Sequence, residues 1–351
     1  MTTDREERFQ QFFTERGARY ENGKLLGFGE TSPTSDPDSP ILSILDQKAF
    51  LNISGPDTLK FLQGQLTCNL DTLNTDQFSG GAACTPKGRM FTSFTLLNAG
   101  DDQFMMAMHQ GLVETTGTTL GKYAVFYKTD LIPDQKYIGI GLSGKAVEEK
   151  IDNLFNDVPD GNSALNINQQ GWLLNVSGAV TRFELWMTLE HLETLWDRLT
   201  EQFNPTGQQH WQMLDCLSVE PSLSPETTDK YIPQHLNLPS LKSVSFRKGC
   251  YTGQEIVARM QNLGQLKSRC YRLSSDQQLT LEPDTRLFNS AGKGIGEVIE
   301  SIKTEEGTEL LAVIRVETAE ENDVRLESGE GQKLNCHPLP YEVDPKQELQ
   351  Y

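Results

Sequence analysis

After Arg269 the chain no longer carries helix-length apolar periodicity and breaks into short apolar runs between turn clusters, a change of texture that separates two kinds of fold. Segments 271–273, 285–288, 294–301, 310–316 and 324–326 are strand candidates with the spacing of a small all-β barrel or sandwich. Gly292-Lys293-Gly294-Ile295-Gly296 lies among them without a helix behind it, so it reads as a hairpin turn and not a phosphate loop. Upstream, strand-like and helix-like segments alternate. Strands are predicted at 49–53, 90–97, 104–108, 124–127, 137–142, 171–176 and 183–188, and helices at 58–66, 113–123, 145–155 and 192–202. That order favours α+β units with helices on one face of a sheet.

At 351 residues the chain is long enough for two or three domains. The texture assigns 1–40 to an N-terminal helix built on Phe9, Phe12 and Phe13 plus a Gly/Ser/Pro/Asp-rich linker over 27–40. It assigns 41–269 to two α+β subdomains, 270–342 to the β-barrel and 343–351 to a tail. Forty-nine acidic against 31 basic side chains leave a net charge of -18, which argues against an extensive direct nucleic-acid interface or an anionic membrane surface. No apolar stretch reaches the length of a membrane span and the charged start has no signal-peptide core, so a cytoplasmic location is expected. The six cysteines form no C-x-x-C pair and the five histidines are scattered, which argues against structural zinc and a disulfide framework.

Lys248-Gly249-Cys250-Tyr251-Thr252-Gly253-Gln254-Glu255 carries the sharpest chemical signal. Thr252 and Glu255 have capping-box spacing, so a helix is predicted from about Gly253, with Ile256, Val257 and Met260 as its apolar stripe and Gly264 as its stop. Cys250 then precedes a helix N-terminus and follows Lys248, and both the macrodipole and the ammonium favour a thiolate. A free cysteine also serves as a small buried apolar filler, and Glu255 with Arg259 also makes an ordinary helix-surface pair. Lys248, Arg259, Lys267 and Arg269 fall in one short basic stretch that is either a pocket for a small anion or a solvated helix end.

With these residues in view, the chain resembles the YgfZ family, folate-binding proteins related to the glycine-cleavage T-protein. The resemblance runs through Phe61-Leu62-Gln63-Gly64-Gln65-Leu66-Thr67, Pro86-Lys87-Gly88-Arg89, Lys122-Tyr123-Ala124-Val125-Phe126, Ile232-Pro233-Gln234 with Asn237-Leu238, Lys248 to Glu255 with Val257-Ala258-Arg259, and Pro338-Leu339-Pro340-Tyr341. It implies T-protein-like folate-binding domains around a central cavity plus a C-terminal β-barrel. It also implies a role in assembling or repairing iron-sulfur clusters in client enzymes, and through them in tRNA methylthiolation. The expected cofactor is tetrahydrofolate or a derivative, and the expected partners are iron-sulfur client enzymes or cluster carriers. Cys250 matches the family's functional cysteine where the T-protein carries an acid, with Lys248, Tyr251, Gln254, Glu255 and Arg259 as its matched surroundings. No permanent metal site is implied, and Cys250 is a candidate transient iron-sulfur ligand. Trp211 matches a folate-associated tryptophan, whose indole can stack on a pterin face. Lys48 stands where a partner aromatic is expected, and Val219-Glu220-Pro221 replaces a glycine-containing stretch.

Two other functions compete. A folate-dependent aminomethyltransferase of T-protein type needs a carboxylate for the substrate amine, where the motif offers a thiol. A non-catalytic folate sensor depends on Trp211 and is indifferent to Cys250.

Overall fold

A computed structural model describes residues 4–21, 23–29, 36–134, 136–263 and 266–350. Two sheets lie face to face with helices outside, and a barrel follows. The first sheet is five-stranded and antiparallel, in the order Gln77–Cys84, Met90–Gly100, Gln103–His109, Lys48–Ser54, Asp130–Pro133. Leu51, Ile53, Leu96 and Met106 point from it toward helices Thr58–Gln63 and Gln110–Ala124, burying Phe61, Leu62, Leu112 and Leu120. The second sheet has eight strands, in the order Ala18–Glu21, Lys24–Phe28, Asn204–Thr206, Ile41–Ile44, Tyr137–Ser143, Arg182–Thr188, Gly171–Asn175, Ala164–Asn166. Helices Asp4–Thr14, Val147–Phe155 and Leu189–Gln202 pack against it through Phe13, Ile151 and Trp196. Phe50, Leu97 and Met105 of one sheet meet Trp172, Leu174 and Trp186 of the other, with the Phe50 and Trp186 rings 4.1 Å apart.

The C-terminal strands Ser268–Ser275, Gly307–Arg315, Gly294–Thr304, Arg286–Phe288, Val324–Leu326 and Lys333–Cys336 close into a six-stranded barrel. The expected α+β class with a terminal barrel is therefore the observed one. The core of the first sheet runs on through Val257, Cys270, Leu311 and Val313, so the barrel packs directly onto it.

Several local expectations shift. Residues 124–127 do not form a strand: the helix runs to Ala124, Val125 keeps helical angles as its C-cap, and the fifth strand starts at Asp130. Ala18–Glu21 and Lys24–Phe28 pair as antiparallel strands that join the eight-stranded sheet, while 30–35 of the expected linker and the expected helix stop Gly264 lie outside the described residues. Gln77–Cys84 was hidden from periodicity by Gly80 and Gly81. A Cβ at Gly81 would come 2.6 Å from the Phe94 ring and 2.9 Å from Cys68 Sγ, and one at Gly80 2.3 Å from Ser243 Oγ. These glycines are set by close approach at the cavity wall.

Candidate functional site

The motif segment is held down on both sides of an exposed thiol. Lys248 is buried, and its ammonium donates to the carbonyls of Leu66 at 2.8 Å and Cys68 at 2.6 Å. Burial lowers its pKa to about 8, with Cys68 and Asp71 acting in the opposite direction. The charge expected to act on Cys250 is thus committed to the segment that carries the first block of resemblance. Thr67 extends that fastening: its hydroxyl donates to the Ser243 carbonyl at 2.8 Å and accepts from the Ala82 amide at 2.9 Å, while its own carbonyl accepts from the Ser245 amide.

Gly253 has φ +84°, and a Cβ there would lie 2.5 Å from the Thr85 carbonyl oxygen. Gly88, φ +71°, leaves room for Ile256 in the same way, so the Pro86-Lys87-Gly88-Arg89 turn seats against the helix start. The helix spans Gln254–Leu263. The reach-back contact falls one residue earlier than the predicted capping box: the Tyr251 amide donates to Gln254 Oε1 at 3.3 Å, and the Thr252 hydroxyl donates to Gln65 Oε1 at 3.1 Å. Val257 is buried, whereas Ile256 is exposed and Met260 only half-buried. Glu255 and Arg259 are both exposed and make no ion pair with each other among the described residues.

Tyr251 is buried, its ring 5.5 Å from the Lys248 ammonium, and its hydroxyl has no hydrogen-bond partner among the described residues. Cys250 is exposed on the loop between these anchors; Cys68, Cys84, Cys216 and Cys270 are buried, and Cys336 is intermediate. Burial pushes the Cys68 thiol up to about 11 and the Cys84 thiol up to about 12. No cluster of three or more metal-ligating His, Cys, Asp or Glu side chains occurs among the described residues.

A second feature lies between the sheets: a cavity of about 710 Å³ lined by Lys48, Phe94, Met108, Arg182, Trp211 and Ser243 among others. The structure brings Lys48 and Trp211 together here, while Cys250, Lys248, Tyr251, Gln254, Glu255 and Arg259 do not line it. Trp211 is buried on helix Gln209–Ser218 and fits only because residue 141 is glycine, where a Cβ would come 2.1 Å from its ring. The Arg182 guanidinium lies over the indole at 4.8 Å and the Lys48 ammonium at 5.8 Å. Arg182 bridges Asp215 at 2.7 Å and Glu220 at 2.8 Å. Lys48 pairs with Glu184 at 2.5 Å, and Trp186 Nε1 donates to the other Glu184 oxygen at 3.0 Å.

Burial would lower the Lys48 pKa, but Glu184 and Asp215 reverse the effect and hold it above its ordinary value. Behind this layer, Glu300 of the barrel accepts from Gln212 at 2.7 Å, and burial, then Asp215, raises its pKa to about 7. Arg182, Glu184, Asp215 and Glu300 were missed in the sequence, and Glu220 was noted only as part of the altered stretch Val219-Glu220-Pro221. The available signal was Arg182 and Glu184 at alternate positions of a strand in which Phe183, Leu185, Trp186 and Met187 are apolar.

The Ile232-Pro233-Gln234/Asn237-Leu238 and Pro338–Tyr341 blocks are fasteners, whereas most of the Lys122–Phe126 block is exposed. Gln234 donates to the Val257 carbonyl at 2.8 Å, Asn237 to the Cys270 carbonyl at 2.9 Å, and the Tyr341 hydroxyl to the Val219 carbonyl at 2.8 Å. Val219 adopts φ +49°, a left-handed conformation that is unusual for a β-branched residue, and the terminal block secures it. Lys248, Arg259, Lys267 and Arg269, read as either an anion pocket or a solvated helix end, do not line the cavity; burial lowers the pKa of Arg269, whereas Lys267 and Arg259 are exposed.

Two stacked α+β sheets around a cavity, closed by a barrel, define a T-protein-like fold. The chain aligns with the crystal structure of glycine cleavage system aminomethyltransferase T from Bartonella henselae at a TM-score of 0.76, covering 95% of this chain and 96% of that one at 16% identity. No family model matches the chain. It is 32% identical over 323 residues to the tRNA-modifying protein YgfZ of Photorhabdus laumondii, covering 90% of this chain and 97% of that protein. It is 30% identical over 323 residues to the same-named protein of Pectobacterium carotovorum, covering 91% and 97%. The chain belongs to the YgfZ family. No helix among the described residues is long and apolar enough to cross a membrane.

Proposed function

We propose that this protein is a cytoplasmic folate-binding factor for assembly or repair of iron-sulfur clusters in client enzymes, supporting tRNA methylthiolation through the Cys250 thiolate. The observation that carries this reading is the exposure of Cys250 beside four fully enclosed cysteines. A thiolate is a soft ligand suited to iron-sulfur chemistry, and one cysteine can only share a cluster with a client or carrier. The net charge of -18 supports action through such a partner over extended binding to tRNA.

The interior cavity fits a reduced folate in size and chemistry. Its volume of about 710 Å³ falls within the range of small-molecule sites, and Trp211 Nε1 is buried without a partner among the described residues. When bound, a reduced folate supplies one-carbon carriage. On this reading Trp211 and Lys48 are cofactor-side residues, with the indole backing the charged layer of Arg182, Glu184, Asp215 and Glu220. Lys248, Tyr251, Gln254 and Glu255 position the thiol loop, and Arg259 faces the partner. The cavity carboxylates Glu184, Asp215 and Glu220 are all in ion pairs with Lys48 or Arg182, which weighs against the aminomethyltransferase alternative.

The test is complementation of cells lacking the protein, with wild type, Cys250→Ser and Cys250→Ala compared for tRNA methylthiolation and cluster-dependent enzyme activity. Wild type should restore both while neither variant does. Full rescue by the serine variant at equal protein level would refute the role given to the thiol.

A further inference from the structure

Among the described residues, six large apolar side chains are exposed, and five of them, Leu59, Tyr123, Val125, Phe126 and Ile132, belong to three adjoining segments far in sequence from Cys250. Phe126 is 87% exposed and Val125 73%, and neither belongs to a core cluster of the described residues. The segments form one body. The Lys128 amide donates to Asp57 Oδ2 at 2.8 Å, the Thr58 and Thr129 hydroxyls are 2.7 Å apart, and the Phe61 and Tyr127 rings pack at 5.3 Å. The turn bearing Val125 and Phe126 is therefore fixed against the first turn of the helix bearing Leu59, and Ile132 follows on the edge strand Asp130–Pro133.

Lys60, Lys122 and Lys128 rim the patch, are exposed, and form no ion pair among the described residues. Asp57 nearby is engaged by the backbone, Asp130 is exposed at the start of the edge strand, and Glu114 lies more than two turns before Lys122 and Tyr123 on their helix. A local excess of cations around apolar side chains, on a molecule of net charge -18, selects an occupant with the opposite pattern.

We propose that this face docks an acidic amphipathic segment of a partner protein, its apolar side on Phe126 and Val125 and its carboxylates on Lys60, Lys122 and Lys128. A second copy of the chain fits poorly, because a two-fold contact would set the lysines of one patch against those of the other. Single-stranded RNA fits less well: Tyr123 and Phe126 could stack on bases, but three lysines on a molecule of net charge -18 make a poor track for a phosphate backbone. This inference is independent of the role given to Cys250.

The test uses the full chain with three probes. They are a helical peptide with leucines at i, i+3, i+4 and i+7 and glutamates elsewhere, a scrambled peptide of the same composition, and a single-stranded oligouridine. Binding is followed by fluorescence anisotropy at two salt concentrations, and self-association by sedimentation. The patterned acidic peptide should bind, weaken with salt, and lose affinity by roughly tenfold or more in both Phe126→Asp and the Lys60→Glu/Lys122→Glu pair, with unchanged circular dichroism. Equal binding of the scrambled peptide, binding of oligouridine through the same residues, a dimer abolished by Phe126→Asp, or no binding of the patterned peptide would each overturn the proposal.

Discussion

Lys248 donates to the carbonyl of Cys68 across 2.6 Å, so the lysine two positions before the exposed thiol is a fastener between the motif and the first block of the fold. Replacing it with methionine keeps the length of the side chain and strips the Leu66 and Cys68 carbonyls of a donor. We expect Lys248→Met to lose roughly 1–3 kcal/mol of stability in urea titrations. The pH dependence has a definite sign. The folded pKa, about 8, lies below the ordinary 10.5, so between these values the unfolded chain binds more protons and this group makes stability rise with pH. The wild-type minus Lys248→Met difference should grow over that window; a flat difference would contradict the burial given to the ammonium.

Arg182 spans two carboxylates above Trp211 and is almost wholly enclosed. Arg182→Met leaves Asp215 and Glu220 unpaired at the cavity wall, and we expect a loss of about 3–5 kcal/mol. Lys48→Met leaves Glu184 the indole N–H of Trp186, so its cost should be smaller. Thermal unfolding of the two variants checks the ranking, and equal losses would show that Arg182 does not organise the layer. Lys48→Tyr, which places an aromatic beside Trp211, should also destabilise because Glu184 then loses its cation.

Glu300 is the barrel's contact with the cavity layer, through Gln212. Its folded pKa, about 7, is raised above the ordinary 4.5, so its contribution is complete below 4.5 and is lost as pH rises through 7. Glu300→Gln keeps the shape and removes the titration. The variant should gain on wild type by roughly 3 kcal/mol between pH 4.5 and 8, read from the difference in urea titrations. An unchanged difference across that range would place the carboxyl in water.

What repeats and what punctuates was legible in the chain. Strands such as Lys48–Ser54 and Gln103–His109 and the barrel after Arg269 were legible from β-branched and aromatic runs between turns. The motif helix was legible too, but its start moved by one residue because Thr252 spends its hydroxyl on Gln65, a contact from far away in the chain. The charged layer was not legible. Arg182, Asp215 and Glu220 come from a strand, a helix and the turn after it, and nothing local marks them as neighbours. Gly80, Gly81 and Gly141 each make way for a neighbour, Ser243, Phe94 and Trp211 respectively, which only the folded chain reveals.

Thr67 has a consequence for how the two candidate sites can be studied apart. Its hydroxyl holds the Ser243 carbonyl at the cavity wall, and its neighbours Leu66 and Cys68 hold Lys248 behind the thiol. A strut one residue wide therefore links an interior chamber to a surface sulfur, without a covalent bond. Thr67→Val preserves its volume and severs the hydroxyl's two hydrogen bonds, giving a protein in which cavity and thiol can be interrogated as separate instruments.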